Sequence, residues 1–231
     1  MAKRPVFLPE LEGDLLVATH FVEFDWFPGL ARSQKQKSIR SLHREVSTNL
    51  GLDEILEISS KSKQPLGVQL SAFNLTLNSP EGVTSSIESF FQGSKVFKNG
   101  GPFTDLYRAS AREAKKDSRI QSSGPLIGFE YGGLHWGLEP KTAFYDWLYV
   151  NALLQHDNLA SAVLDFDAFT DIEFNPKKSI NCQAFSAALY CALKWRGLLD
   201  DAAQDRERFL QTYQSGEIYA GPSQASLFTP R

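Results

Sequence analysis

In the stretch SIESFFQGSKVF, residues Ile87, Phe90, Phe91, Ser94 and Phe97 recur with the i, i+3, i+4 spacing of a helix that buries one face. Beside that face, Glu88, Gln92 and Lys95 fall at i, i+4 and i+7 and form one polar stripe: an acid, an amide and a base among aromatics. Gly93 is out of place here, because glycine in a helix interior costs about 1 kcal/mol relative to alanine. Next to a polar stripe it lets something approach the backbone closely. The pattern alone fits a solvated face held by local hydrogen bonds, and it equally fits the wall of a site.

Elsewhere the periods of strand and helix alternate. Residues 1–31 carry short apolar runs broken by Pro5, Pro9, Gly13, Pro28 and Gly29, which predicts one or two strands. A helix is expected from about Ser33 to the residue before Gly51, with Ile39, Leu42 and Val46 inward. ILEIS reads as a strand and QPLGVQLSAFNLTL as a turn followed by an extended segment. The turn Ser79-Pro80-Glu81-Gly82 leads into the helix of the polar stripe, capped by Ser85 or Ser86. Residues 104–120 predict one charged helix, followed by a glycine-rich loop over 122–137. Pro140 occupies the first turn of an aromatic helix. A short helix around LASAVLDFD precedes FTDIEFNP, where Asp171 and Glu173 alternate with Thr170, Ile172 and Phe174. Asn181 is the expected cap of QAFSAALYCALKWR, which stops at Gly197, and a last helix lies near DAAQDRERFLQTY. The fold class that follows is α+β, mainly helical: a single domain with an N-terminal strand-helix extension over 1–55 packed on a core over 56–213, and a loosely held tail over 214–231.

With 231 residues, 42% of them hydrophobic, the chain can bury a substantial core. Its net charge of −3 points to no nucleic-acid or membrane partner globally, so any such contact must be a local patch. One patch is the helix stripe Lys37, Arg40 and Arg44, spaced to meet successive phosphates or simply to face water. Another is Lys115, Lys116 and Arg119 at a helix end, explained by the macrodipole or by a phosphate gripped through the planar fork of Arg119. Tyr131, Trp136, Phe144, Tyr145 and Trp147 crowd around Gly132, Gly133 and Gly137, as core or as a surface that stacks on a base. Cys182 and Cys191 are too few for a disulfide framework, and the four scattered histidines leave no metal site to expect. Neither a signal peptide nor a membrane span is evident, so a soluble cytoplasmic protein with no membrane partner is expected. No phosphate-binding glycine loop, dinucleotide fingerprint or nucleophile elbow is present. Composition and spacing stop at a soluble helical α+β domain, for which a phosphate-bearing ligand is one reading of the basic patches.

The segment SIESFFQGSK resembles the central motif of the NADAR family, also called YbiA-like: an acid, then aromatics, then Gln-x-x-Lys, with Glu88, Phe91, Gln92 and Lys95 in those places. LSAFN, Leu70 to Asn74, is similar to the family's Leu/Phe-Ser-Asn-Phe segment through Ser71 and Phe73. AKKDSR resembles its Ala-Lys/Arg-x-x-Gly-Arg, which matches Arg119, and Trp136 ahead of Lys141 resembles the tryptophan and lysine that open the next family helix. Order and spacing agree over roughly residues 56 to 175. Three departures stand out: Ala72 replaces the common asparagine, Asp117-Ser118 replaces a small residue and glycine, and NPKKSINCQA stands where many members carry Asp followed by Trp-Gly. Together with the N-terminal extension, these departures resemble the NADAR branch found beside DarT-type DNA ADP-ribosyltransferase toxins, and with that branch the resemblance covers nearly the whole chain.

The resemblance implies a NADAR-like catalytic core and an antitoxin, paired with a DarT-type toxin, that removes ADP-ribose from guanine in DNA without a cofactor or metal and releases ADP-ribose. Glu88 would be the catalytic carboxylate, stabilising an oxocarbenium-like state, and Lys95 would orient it or touch a phosphate. Ser71, Phe73, Asn74, Phe91, Gln92, Gly93 and Lys115 would line the substrate site. Arg119 would hold the diphosphate, Trp136 would stack on a ring, and Lys37, Arg40 and Arg44 would meet the DNA backbone. Two other readings stand beside this one. An N-glycosidase of a small ribosylamino-pyrimidine metabolite, as in riboflavin synthesis, would not need the basic stripe. A non-catalytic antitoxin binding the toxin protein itself would not need Glu88.

Overall fold

The alternation at the N-terminus is realised as a hairpin in the computed structural model, which describes residues 1–215. Strand β1 (Ala2–Pro9) pairs antiparallel with β2 (Val17–Phe24) from Ala2 opposite Phe24 to Pro9 opposite Val17. The hairpin does not stand apart. A four-stranded sheet has the order β2-β1-β9-β3, in which β9 (Ala168–Thr170) is antiparallel to β1 and parallel to β3 (Ile55–Glu57). Side chains alternate between the two faces of a strand, and each face of β1 has its own helix. Val6 packs with Ile39, Leu42 and Val46 of α1 (Arg32–Leu50). Phe7 meets Phe185 of α8 (Gln183–Trp195) edge to face, ring centroids 5.6 Å apart.

The larger core lies on the α8 side. There α6 (Ala143–Leu154) packs on α8 and on α3 (Ile87–Gly93), with Phe90, Leu148, Tyr149 and Leu189 sealed from solvent. Helices α7 (Asp157–Ala162), α9 (Leu199–Ala202) and α10 (Arg206–Ser215) close its flank. The hairpin β4 (Thr76–Asn78)–β5 (Thr84–Ser86) leads directly into α3, whose N-cap is Ser86.

Several elements differ from their sequence expectation, each for a local reason. The helix of the polar stripe stops at Gly93 instead of reaching Phe97, because the next residues join a sheet: β6 (Lys95–Phe97) pairs with β7 (Leu126–Tyr131). The glycine-rich loop is mostly a hairpin, in which Gly132 and Gly133, at φ 56° and 74°, turn β7 into β8 (Leu134–Trp136). The charged helix over 104–120 is three pieces. A 3-10 turn, Thr104–Arg108, is followed by α4 (Ala111–Lys116), started by a Ser110–Glu113 capping box, and by α5 (Ser118–Ser122), restarted when Asp117 accepts from the Arg119 amide. PLGVQ is a short helix, α2 (Pro65–Gln69), where a Cβ on Gly67 would lie 1.9 Å from the Glu57 carbonyl oxygen. Cys182, not Asn181, is the N-cap of α8 and offers no side-chain cap. Pro140 precedes rather than opens α6, which is capped by Thr142 in the left-handed conformation, φ 68°. The last expected helix is divided into α9 and α10. Of the expected tail, residues 216–231 lie outside the described residues. Among the described residues no helix is long and apolar enough to cross a membrane.

Candidate active site

All seven residues of α3 are buried, so its polar stripe does not face bulk water. Glu88 and Gln92 are each 6% exposed. At i, i+4 the Gln92 Nε2 donates to Glu88 Oε1 at 2.9 Å, and Lys95 Nζ donates to Gln92 Oε1 at 2.7 Å. The two bonds fix the amide, because its nitrogen must meet the carboxylate and its oxygen the ammonium. Lys95 reaches Gln92 from the start of β6, so the stripe survives although the helix has ended. Lys115 from α4 places Nζ 3.4 Å from Glu88 Oε1. Burial pulls the Lys95 ammonium down to about 8, against the attraction of Glu88 and with the repulsion of Lys115.

These groups face a cavity of about 1530 Å³. Its lining includes Glu88, Phe91, Gln92 and Lys95, together with Ser71, Phe73 and Asn74 from the segment after α2, and Lys115. That segment is knitted by its own polar side chains: Ser71 Oγ donates to the Val68 carbonyl at 2.7 Å and Asn74 Nδ2 to the same oxygen at 2.9 Å. It is held between two helices, since the Glu88 amide donates to the Ala72 carbonyl and the Ala72 amide donates to Gln183 Oε1. Phe73 stays 41% exposed, with Lys115 Nζ 5.2 Å from its ring centroid. Thr142, held at positive φ, is also on the wall. Its hydroxyl donates to Asp146, a carboxyl with no exposure that also accepts from Tyr213 and Ser186 and is pushed up to about 6 by burial.

Six expected site residues lie outside the cavity lining. A Cβ on Gly93 would come within 2.7 Å of the Tyr107 ring and 2.9 Å of the Phe103 carbonyl oxygen, so this glycine serves the packing of α3 on the following turn rather than a ligand. Arg119 is outside the lining, ion-paired with Asp105 at 2.7 Å and Asp117 at 2.9 Å, with its guanidinium 4.6 Å from the Phe103 ring. Trp136 is 2% exposed and packs on Phe144 and Trp147 in the core. Lys37, Arg40 and Arg44 are exposed on α1 and outside the lining, and Arg44 is engaged by Glu45. Other residues of α1 do buttress the wall: Arg32 donates to the Ser62 carbonyl, Gln36 to the Lys61 carbonyl, and Lys35 pairs with Glu173 at 3.0 Å.

Asp171 is the residue the sequence reading missed. It lines the cavity at 8% exposure, just past the end of β9. Oδ1 accepts from the Glu173 and Phe174 amides, and Oδ2 accepts from Gln183 Nε2 at 3.0 Å. Burial, reinforced by the neighbouring Glu57, outweighs these bonds and pushes its carboxyl up to about 8. Glu57 lies deeper, accepting from the Thr170 hydroxyl at 2.7 Å and the Ile172 amide at 2.9 Å, and is itself pushed up by burial. The only signal in the sequence was an acid interrupting the apolar alternation of FTDIEF. The wall therefore carries two buried carboxyls in contrasting surroundings. Glu88 is bonded by an amide and faced by an ammonium, whereas Asp171 sits beside a second buried acid. Such a pair suits one anion and one proton donor.

A family model described as DarT1-associated NADAR antitoxin matches residues 2–221. No curated protein matches the chain.

Proposed function

The chain belongs to the family of DarT1-associated NADAR antitoxins, and from that premise we propose that it counters its toxin by chemistry, hydrolysing the N-glycosidic bond between ADP-ribose and guanine in DNA. The observation that carries this reading is the buried Glu88–Gln92–Lys95 chain in the same cavity as Asp171, a second carboxyl whose proton affinity is raised by burial and by Glu57 beside it. Cleavage of a ribosyl–nitrogen bond passes through an oxocarbenium-like state. Glu88 opposes the positive charge that grows on the ribose and takes a proton from the attacking water. The carbon–nitrogen electron pair leaves with guanine, whose nitrogen takes the proton of Asp171. Gln92 and Lys95 hold the Glu88 carboxylate in one orientation, and Lys115 keeps a cation beside it. Free ADP-ribose and restored guanine are the products.

The test is release of ADP-ribose from a DNA strand carrying ADP-ribosyl-guanine. The Glu88→Gln protein should lose roughly 10²- to 10⁴-fold in rate, the contribution of a positioned acid or base, with little change in melting temperature. Undiminished turnover by Glu88→Gln would sink this assignment. Release from a free ribosylamino-pyrimidine but never from DNA would favour the small-metabolite reading.

A further inference from the structure

Eight residues lining the cavity are lysine or arginine and four are aspartate or glutamate, in a chain whose net charge is −3. Lys95 and Lys115 belong to the Glu88 chain. Lys61, Arg112, Lys116, Lys177 and Lys178 have no such role: none of the five is ion-paired with another described residue. They come from three separate stretches of chain, the loop after β3, helix α4 and the segment after β9. All but the half-buried Lys61 are exposed. Five cations brought to one mouth repel one another, and the diphosphate of a single ADP-ribose is too small to meet all of them. A polyanion longer than one nucleotide satisfies them.

The same mouth carries exposed apolar side chains. Phe73 is 41% exposed, Leu138 41% and Ile180 42%, and all three line the cavity. A duplex presents phosphates outward and keeps its bases stacked inside, so it has no use for such surface. An unpaired strand offers base faces to stack on apolar and aromatic side chains while its phosphates follow the cations. Glu88, at 6% exposure, is out of reach of a base that stays in its stack.

We propose that the cavity mouth is a track for an unpaired nucleic-acid strand. One nucleotide enters the cavity, the neighbouring phosphates lie on Lys61, Lys177 and Lys178 and on Arg112 and Lys116, and the neighbouring bases rest on Phe73, Leu138 and Ile180. The track rests on the proposed function only for which nucleotide enters. Its binding of a strand stands apart from the chemistry.

The experiment uses a short labelled oligodeoxynucleotide without modification, single-stranded and duplex, bound to the whole protein across a salt series. The single strand should bind more tightly than the duplex. The variant K61Q/K177Q/K178Q should bind it at least about tenfold more weakly at low salt and lose about two units of the log–log salt slope, at about 0.7 per phosphate contact in a single strand. The variant K37Q/R40Q, which alters α1 instead, should bind like the parent. Equal or tighter binding of duplex overturns the track, as does loss of binding in the α1 variant with the rim variant unaffected. ADP-ribose release from a modified strand is followed in parallel. Rim-dependent strand binding without release supports the track and counts against the chemistry, whereas release without any strand binding overturns the track. Thermal melting of each variant verifies that it is folded.

Discussion

At the scale of single residues, environment assigns the chemistry. Glu88 and Asp171 are both carboxyls on one cavity, and burial, reinforced by Glu57 beside it, pushes the Asp171 carboxyl up to about 8. If it supplies the proton to the leaving guanine, activity should fall as pH rises through about 8, and Asp171→Asn should lower the rate about 10²- to 10⁴-fold. Stability carries the same signature with a definite sign. A carboxyl whose folded value lies above its unfolded one keeps its proton in the folded state, so stability falls as pH rises from the ordinary carboxylate range towards about 8. Asn cannot ionise. Melting temperatures of Asp171→Asn should therefore fall less across that window than those of the parent, with Glu57 retaining part of the slope. Parallel melting curves for the two proteins would mean that Asp171 is not held protonated.

At the scale of elements, α3 shows how packing and site share one helix. Its outer half presents Glu88 and Gln92 to the cavity, while Gly93 admits the Tyr107 ring. Gly93→Ala improves local helix propensity by about 1 kcal/mol, but it inserts a methyl group into a gap already filled, at a cost of about 1–3 kcal/mol. A lower melting temperature is expected, and a higher one would show that α3 and the following turn separate easily. Neither the end of α3 nor the strand that succeeds it is visible in the apolar period, because Phe97 continues the helical spacing. The switch is made by pairing with β7, thirty residues on, which no local pattern encodes.

At the scale of the whole molecule, the N-terminal segment is part of the architecture of the site. Strands β1 and β2 make up half of the four-stranded sheet, and Arg196 at the end of α8 donates to the Gly13 and Leu15 carbonyls between them. Helix α1 then holds the wall through Arg32, Lys35 and Gln36. Deleting residues 1–31 removes both strands, uncovers Phe169 and Phe185, and should give an insoluble or non-cooperatively melting protein. A soluble truncated protein with a sharp transition would show instead that the remainder folds on its own.

Much was legible from local chemistry. The N-terminal strands, the span of α1, the Ser86 cap and the Glu88–Gln92–Lys95 stripe follow from short-range rules: alternation, helical spacing, capping and the resemblance of one motif to a family. What a side chain faces was not legible, because burial is settled by segments far away in sequence. Arg119 matches a family position, yet the carboxylates of Asp105 and Asp117 draw it off the cavity; Trp136 borders glycines, yet Phe144 and Trp147 close over it. The proton affinity of Asp171 is raised first by burial and then by Glu57, 114 positions away, which the pairing of β9 with β3 brings within reach. The cations of the mouth likewise come from three stretches that acquire a common role only where the folded chain sets them around one opening. Spacing along the chain decided which residues share a helix or strand, and long-range packing decided which of them share a site, because desolvation and charge act through space.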